Sequence, residues 1–374
     1  MLKKRVTYIV SNVDKALAFE WIADYLNEQK FSLNFIILNS KENCTLETEL
    51  IKRNIPSHYI HYESKKNLFK AIRRTFQLLK TNKSDIIHCH LFEACIIGML
   101  AGKLAGIKKR IYTRHHSNYH HIYFPSAVKY DKLINWLSTD IVAISKNVEQ
   151  ILIAKENVSQ KKITLIRHGF PLESFQNIST ERTQKLKEKH NINQPHNPVV
   201  GVIARYTEWK GVQYIIPAFK KLLLEFPDAL LVLCNATGSY QAEIEKLLNT
   251  LPATSYLEIK FENDIFAMYS IFDIFVHVPI DINSEAFGQT YVEALAYGTP
   301  SVFSLSGIAP EFIEDKKNAL VVPYKNSEKI FESVNFLLNN ITIASKLKEQ
   351  GKADVNKMFS LDKMISLLEN LYES

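Results

Sequence analysis

The chain has 374 residues, 46% of them hydrophobic, and a formal charge of +7. That length leans toward two domains with sizeable cores, and the composition excludes a disordered or fibrous protein. No stretch approaches the ~20 apolar residues that cross a bilayer, and the modest positive excess fits nucleic acid, anionic lipid or phosphorylated small molecules without choosing among them.

"VTYIV", behind the basic start, is too short for a signal core and reads as a strand. The four cysteines, Cys44, Cys89, Cys95 and Cys234, lack CxxC spacing and read as reduced thiols. The expectation is a cytoplasmic protein, with peripheral attachment to the inner face of the cytoplasmic membrane as its furthest extension.

In chain order, the β-rich runs are "RVTYIV" (5–10), "SLNFIIL" (32–38), "HYIHY" (58–62), "SDIIHCH" (84–90), "KKRIYT", "TDIVAIS" (139–145) and "KITLIR" (162–167). Helical stretches separate most of them. One of these, "SKKNLFKAIRRTFQLLKTNK" (64–83), places Leu68, Ile72, Phe76 and Leu79 at helical spacing with lysines and arginines on other faces. Such a face is ordinarily solvated, and its sharper reading is a patch for anionic lipid headgroups. Polar residues and prolines from 168 to 198 break the rhythm, which resumes with "VVGVIA", "ALLVLCN", "YLEIKF", "DIFVHV", "PSVFSL" and "ALVVPY" before a helical end. Apolar strands alternating with helices imply parallel sheets covered on both faces. We therefore expect an α/β protein of two doubly wound domains facing a cleft. The expected divisions are 1–170, a linker at 171–198, 199–355, and a terminal helix over 356–374 that packs back on the first domain.

Three segments of the second half carry candidate chemistry. In "GVIARYTEWKGVQYII", Arg205 and Lys210 follow a strand and precede a helix, which suits a phosphate or diphosphate. In "SEAFGQTYVEALAYGTPSV", Glu285 lies in a loop and Gly288 permits close backbone approach. Phe287 through Thr290 then offer free amides at a helix start, with Glu293 one turn further on. Two carboxylates flanking an anion-binding helix end suit a sugar nucleotide, because ionised oxygens accept short hydrogen bonds from hydroxyls. In the third, Gly307 opens a turn before the short helix carrying Glu311.

These segments resemble the retaining glycosyltransferases of family 4, which have the GT-B fold. "DIIHCHLFEACIIGMLAGKLAGIKKRIYTRHH", "VAISKNV", "KITLIRHGFPLESF" and "GVIARYTEWKG" are similar to family segments in the right order, and "SEAFGQTYVEALAYGTPSV" matches the Glu-x7-Glu motif. The resemblance implies transfer of a hexosyl or N-acetylhexosaminyl group from a nucleoside-diphosphate sugar to a glycan or lipid-linked acceptor. Glu285 would hold donor sugar hydroxyls beside the Phe287 and Gly288 amides. Gln289 and Thr290 would meet the diphosphate, Glu293 the ribose, and Arg205 and Lys210 the leaving charge. The base would sit near "KFEND", which includes Phe261. No metal or other cofactor is implied, and the biological setting would be bacterial surface polysaccharide synthesis.

"TRHHSNYHHIYF" (113–124) holds four histidines. His115, which fits the "TRH" segment best, would meet the donor, with His116 as the near alternative. His120 and His121 would lie on the acceptor side with Ser11 and Asn12. A zinc site is disfavoured because the cluster lacks regular spacing and neighbouring carboxylates in sequence. His88, His90 and His277 read as packed or hydrogen-bonded histidines. The sequence departs from the family where "IVSNVDKALAFEW" replaces a Gly-Gly loop and where "NATGSY" and "KFEND" are poor in glycine. Rival readings are a GT-B nucleotide-sugar epimerase and a non-catalytic sugar-nucleotide-binding partner; nucleic-acid binding has only the charge in its favour.

Overall fold

The structure, a computed structural model, describes residues 3–192 and 196–374. In chain order the elements are β1 (Lys4–Ser11), α1 (Leu17–Tyr25), β2 (Phe31–Asn39), α2 (Thr45–Lys52), β3 (Ser57–His61), α3 (Leu68–Thr81), β4 (Ile86–His90), α4 (Phe92–Leu104), β5 (Lys109–Arg114), α5 (Tyr119–Tyr123), α6 (Val128–Leu137), β6 (Asp140–Ala143), α7 (Lys146–Ala154) and β7 (Ile163–Leu165). They continue with α8 (Glu173–Gln176), α9 (Thr180–Lys189), β8 (Val199–Ile203), α10 (Val212–Glu225), β9 (Leu230–Cys234), α11 (Gln241–Leu248), β10 (Tyr256–Ile259), α12 (Ile265–Met268), β11 (Ile274–His277), α13 (Gln289–Tyr297), β12 (Ser301–Phe303), β13 (Leu320–Val321), α14 (Ser327–Asn339), α15 (Ile341–Phe359) and α16 (Leu361–Glu373). Every β-rich run read from the sequence forms a strand, because Val/Ile/Leu-rich runs of this length bury both faces in a parallel sheet.

The chain divides into two compact units. The first joins residues 1–170 to 361–374, and the second spans 171–360. The first unit has a seven-stranded parallel sheet in the order β3-β2-β1-β4-β5-β6-β7. Its core sets Val6, Tyr8, Phe31 and Phe35 against Met364, Leu368 and Tyr372 of α16, and the Tyr8 and Tyr372 hydroxyls hydrogen-bond at 2.6 Å. Helix α4 lies close on this sheet because Gly98 has no side chain there: a Cβ would stand 2.4 Å from Cys89 Sγ.

The second unit has a six-stranded parallel sheet in the order β10-β9-β8-β11-β12-β13. Its core brings Val200, Leu231 and Val276 of the strands under Ile215 and Phe219 of α10 and Val334 of α14. Strand order reverses at β1/β4 in one unit and at β8/β11 in the other, and ligands of such sheets bind at the carboxyl ends beside that reversal.

Two boundaries differ from the sequence reading. The expected linker at 171–198 contains α8 and α9, which belong to the second unit; residues 193–195 lie outside the described part. Ser179 starts α9 by accepting from the Arg182 amide at 3.1 Å, and Arg182 pairs with Asp264. Polar composition hid this helix because its anchoring is ionic rather than apolar. The boundary expected at 356 falls within α15, and the return to the first unit begins at Leu361.

Candidate active site

In the second unit the loops after β8 and β11 meet at the reversal point. Lys210 closes the turn after β8, and its ammonium donates to Glu285 Oε1 at 2.5 Å. His277, the last residue of β11, places Nε2 3.3 Å from the same oxygen. Both His277 ring nitrogens are buried without a well-aligned hydrogen bond, a departure from the hydrogen-bonded histidine expected there. Burial pushes the Glu285 carboxyl up, but Lys210 and His277 outweigh it and hold its pKa down at about 2. The His277 pKa is lowered, with burial exceeding the opposing pull of Glu285. The result is a nearly buried carboxylate that its neighbours hold in the ionised form.

The backbone around Glu285 is fixed by small residues. The Glu285 amide donates to Ser306 Oγ at 2.9 Å. Gly307 has φ +60, and a Cβ there would lie 2.7 Å from the Phe287 carbonyl oxygen and 2.8 Å from Glu285 Cβ. Gly288, φ +87, occupies the N-cap of α13 and supplies no capping side chain. Among the described residues, the Gln289 and Thr290 amides have no acceptor, and the buried Thr290 Oγ1 has no partner. A helix start with open donors is where an anion is stabilised.

Glu293 lies further along α13 and accepts from the Tyr269 hydroxyl at 2.8 Å. Burial raises its pKa to about 7, against the opposing effect of that hydrogen bond. Arg205 is exposed, and among the described residues its side chain has no partner. Phe287 is buried and packs edge-on against Phe359. Phe261 is exposed, whereas the adjoining Glu262 is buried and bound by Lys189 and His190.

In the first unit the histidine segment separates into two groups. His115 hydrogen-bonds through Nε2 to His90 Nδ1 at 3.0 Å and stacks on His168. Burial, with His168 beside it, depresses its pKa to about 3. His116 and His120 face the other way, toward Asp131 of α6: His120 Nδ1–H donates to Oδ2 at 2.7 Å, and His116 Nε2 is 3.4 Å from Oδ1. His121 Nε2–H donates to Glu156 at 3.1 Å. Arg114, itself buried, bridges both acids, 3.2 Å from Asp131 and 2.5 Å from Glu156.

The carboxylates judged absent from the sequence neighbourhood are therefore supplied in space by α6 and by the turn after α7. Ligand atoms of His116, His120 and Asp131 lie within 4.8 Å of one another, a spacing that a cation could bridge. Arg114 already places a fixed positive charge on Asp131, which disfavours a second cation there.

Ser11, expected on the acceptor side, is fully buried, and its hydroxyl accepts from the Ala94 amide at 3.2 Å at the start of α4. Asn12 is exposed, has φ +53 and donates to Glu93 at 3.3 Å. His88 and His90 are core residues, as expected: His88 bonds Tyr372 through Nδ1 at 2.7 Å and Thr113 through Nε2 at 2.8 Å. Sequence reasoning missed Asp131, Glu156 and Tyr269 as partners of the candidate residues. None carries a local motif, since each reaches its neighbour only through folding.

The fold is the GT-B fold, and, with the family matches that follow, it makes this chain a glycosyltransferase. Two family descriptions match in tandem: Glycosyltransferase Family 4 over residues 22–174 and Glycosyl transferases group 1 over 182–354. The chain is 23% identical over 362 residues to the capsular polysaccharide biosynthesis glycosyltransferase CapM of Staphylococcus aureus, covering 94% of this chain and 92% of that one. It is 24% identical to the alpha-monoglucosyldiacylglycerol synthase of Acholeplasma laidlawii, covering 89% and 86% respectively. Among solved structures, Anabaena HepE in complex with UDP and glucose superposes with a TM-score of 0.85 at 17% identity, over 100% of each chain.

Proposed function

We propose that this glycosyltransferase moves a hexosyl or N-acetylhexosaminyl group from a nucleoside-diphosphate sugar to a hydroxyl of a glycan or lipid-linked acceptor. In this reading it retains the anomeric configuration and needs no metal ion. The observation that carries it is the junction after β8 and β11: an ionised Glu285 held by Lys210, next to the open Gln289 and Thr290 amides. Glu285 accepts from sugar hydroxyls, the helix start and Arg205 receive the diphosphate, and Glu293 accepts from ribose hydroxyls. Phe261 borders the base, and the Phe287 and Gly288 backbone lies beside the sugar.

As the anomeric C–O bond breaks, its electron pair passes to the diphosphate. The Lys210 and Arg205 charges and the α13 amides stabilise that developing charge. The acceptor oxygen bonds to the anomeric carbon on the same face, and its proton passes to the departing phosphate oxygen. Two cations and a helix end supply what a divalent ion would otherwise supply. On the first unit we assign His116 the donor-facing role in preference to His115, whose ring is spent on His90 and His168. His120, His121 and Asn12 border the acceptor.

The names of the Staphylococcus aureus and Acholeplasma laidlawii relatives support a setting in synthesis of surface polysaccharide or glycolipid. The test is incubation with a panel of sugar nucleotides, a lipid-extract acceptor pool and EDTA, followed by NMR of the product. An α-linked product from an α-linked donor supports the reading. A metal requirement, an inverted product, or an epimerised donor without transfer overturns it.

A further inference from the structure

From one face of the first unit we infer a docking surface for an anionic lipid bilayer, built from α3, the end of α5 with the residue that follows it, and α6. Positions 64–83 hold seven lysines and arginines and no carboxylate. On α3, Ala71, Thr75, Leu78 and Leu79 face inward, whereas Phe69, Lys70 and Arg73 are exposed, as is Lys66 in the turn before the helix. Phe69 is 85% exposed in the midst of these charges. A large apolar side chain so fully in water on a basic face has no role in the core, and the apolar residues at positions 68, 72 and 76 that the spacing selected are only half-buried.

Tyr130 ties this face to α6. Lys65 Nζ lies 5.7 Å and Lys129 Nζ 5.3 Å from its ring centre. Just before α6, Ile122, Tyr123 and Phe124 are 53%, 41% and 51% exposed. Along α6 itself, Lys129, Lys132 and Trp136 fall on one side at helical spacing, with Trp136 73% exposed. The single carboxylate between positions 119 and 137 is Asp131, buried and paired with Arg114.

The surface therefore combines aromatic and aliphatic side chains with unopposed positive charge. That is the composition by which a protein lies in a headgroup region: the apolar groups enter the acyl boundary and the cations meet anionic headgroups. No helix among the described residues is long and apolar enough to span a membrane, so contact through this face is peripheral. The charge complementarity selects an anionic bilayer over a neutral one. The inference goes beyond the donor site and does not depend on which nucleotide that site takes.

The full chain is tested by flotation with vesicles of phosphatidylcholine alone and of phosphatidylcholine with phosphatidylglycerol, at low and high salt. Binding is expected to the anionic vesicles only and to weaken with salt. Lys70→Glu with Arg73→Glu should reduce it about tenfold or more, since each juxtamembrane cation contributes appreciably at such a surface. Phe69→Ser with Phe124→Ser should remove the fraction that resists salt. Both pairs should keep the wild-type melting temperature and nucleotide response, so a failed donor site is read separately from a failed surface. Three results overturn the inference. One is no flotation with anionic vesicles, or flotation that both variants leave unchanged. Another is light scattering in which Phe69→Ser turns a dimer into a monomer. The third is equally tight binding to poly(U) RNA that Phe69→Ser does not affect.

Discussion

Lys210 and Glu285, 75 positions apart in sequence, meet at 2.5 Å where the sheet of the second unit reverses its strand order. Each arrives on a loop leaving the carboxyl end of a neighbouring strand, β8 or β11, so the pair exists only in the folded unit. Its two side chains are mostly shielded, which makes it expensive to break from one side. Removing one member of a shielded pair leaves an uncompensated charge, a loss of about 2–4 kcal/mol. Lys210→Met and Glu285→Gln should each fall in that range by urea unfolding. The double variant should lose less than the sum, giving a coupling of about 1–3 kcal/mol. Strict additivity would show that the pair is not formed in solution. Turnover should fall by about 100-fold or more in each single variant, the scale of losing a transition-state charge partner.

Glu293 predicts a pH dependence of nucleotide binding. An unfolded glutamate titrates near ~4.3, whereas burial raises the folded group to about 7. The folded chain therefore holds an extra proton between those values. The corresponding stability is present below about 4.3 and is lost as pH rises through about 7. Hydroxyl donors on a ligand favour the ionised form, so binding should release a proton and tighten as pH rises from 6 to 8. Calorimetry in buffers of different ionisation heat measures that release. Glu293→Gln should abolish it; an unchanged proton release in that variant would remove Glu293 from the site.

Thr290 separates ligand binding from fold stability. Its buried hydroxyl has no partner, and an unsatisfied buried polar group costs about 1 kcal/mol or more. Thr290→Val keeps the shape and should leave stability equal or higher in thermal melts. If the hydroxyl meets the diphosphate, nucleoside diphosphate affinity should fall by about 10- to 100-fold, the value of one hydrogen bond to a charged group. A loss of stability without a loss of affinity would give Thr290 a purely structural role.

His88 predicts acid lability in the first unit. It is fully buried, and burial depresses its pKa to about 3 from an ordinary ~6.5. Stability from keeping it neutral is full above ~6.5 and is lost as pH falls toward 3. At pH 5 the loss for this one group is about 2 kcal/mol. Urea unfolding at pH 7 and pH 5 should show that difference, and His88→Gln, which can keep both hydrogen bonds, should reduce it. Equal pH slopes for the two proteins would contradict the assignment.

Strand positions and the Glu-x7-Glu helix were legible because they depend on local pattern: apolar runs, a glycine before a helix, carboxylates at fixed offsets. The electrostatic setting was not. Nothing near Glu285 in sequence announces that Lys210 and His277 share its oxygen, and nothing near the histidine segment announces Asp131 or Glu156. Nor does anything near Ser11 in sequence announce that its hydroxyl accepts from the Ala94 amide of α4. Local pattern favours His115 over His116 and says nothing of their partners, yet in the fold His115 turns toward His90 and His116 toward Asp131. Helix α9 was read as linker because its polar surface hides an anchoring by Asp264 and Glu262.

The central claim is a metal-independent sugar-nucleotide site at the start of α13. Its most direct test is a thermal-shift panel of nucleoside diphosphates and sugar nucleotides in EDTA, on wild type and Glu293→Ala. A ligand at 100 times its dissociation constant adds roughly 2.7 kcal/mol of stability, a readily measured shift. A shift is expected with one nucleotide, left intact by EDTA and removed by Glu293→Ala. No shift with any nucleotide, or one that EDTA abolishes, would contradict it and return attention to His116, His120 and Asp131 as a metal site.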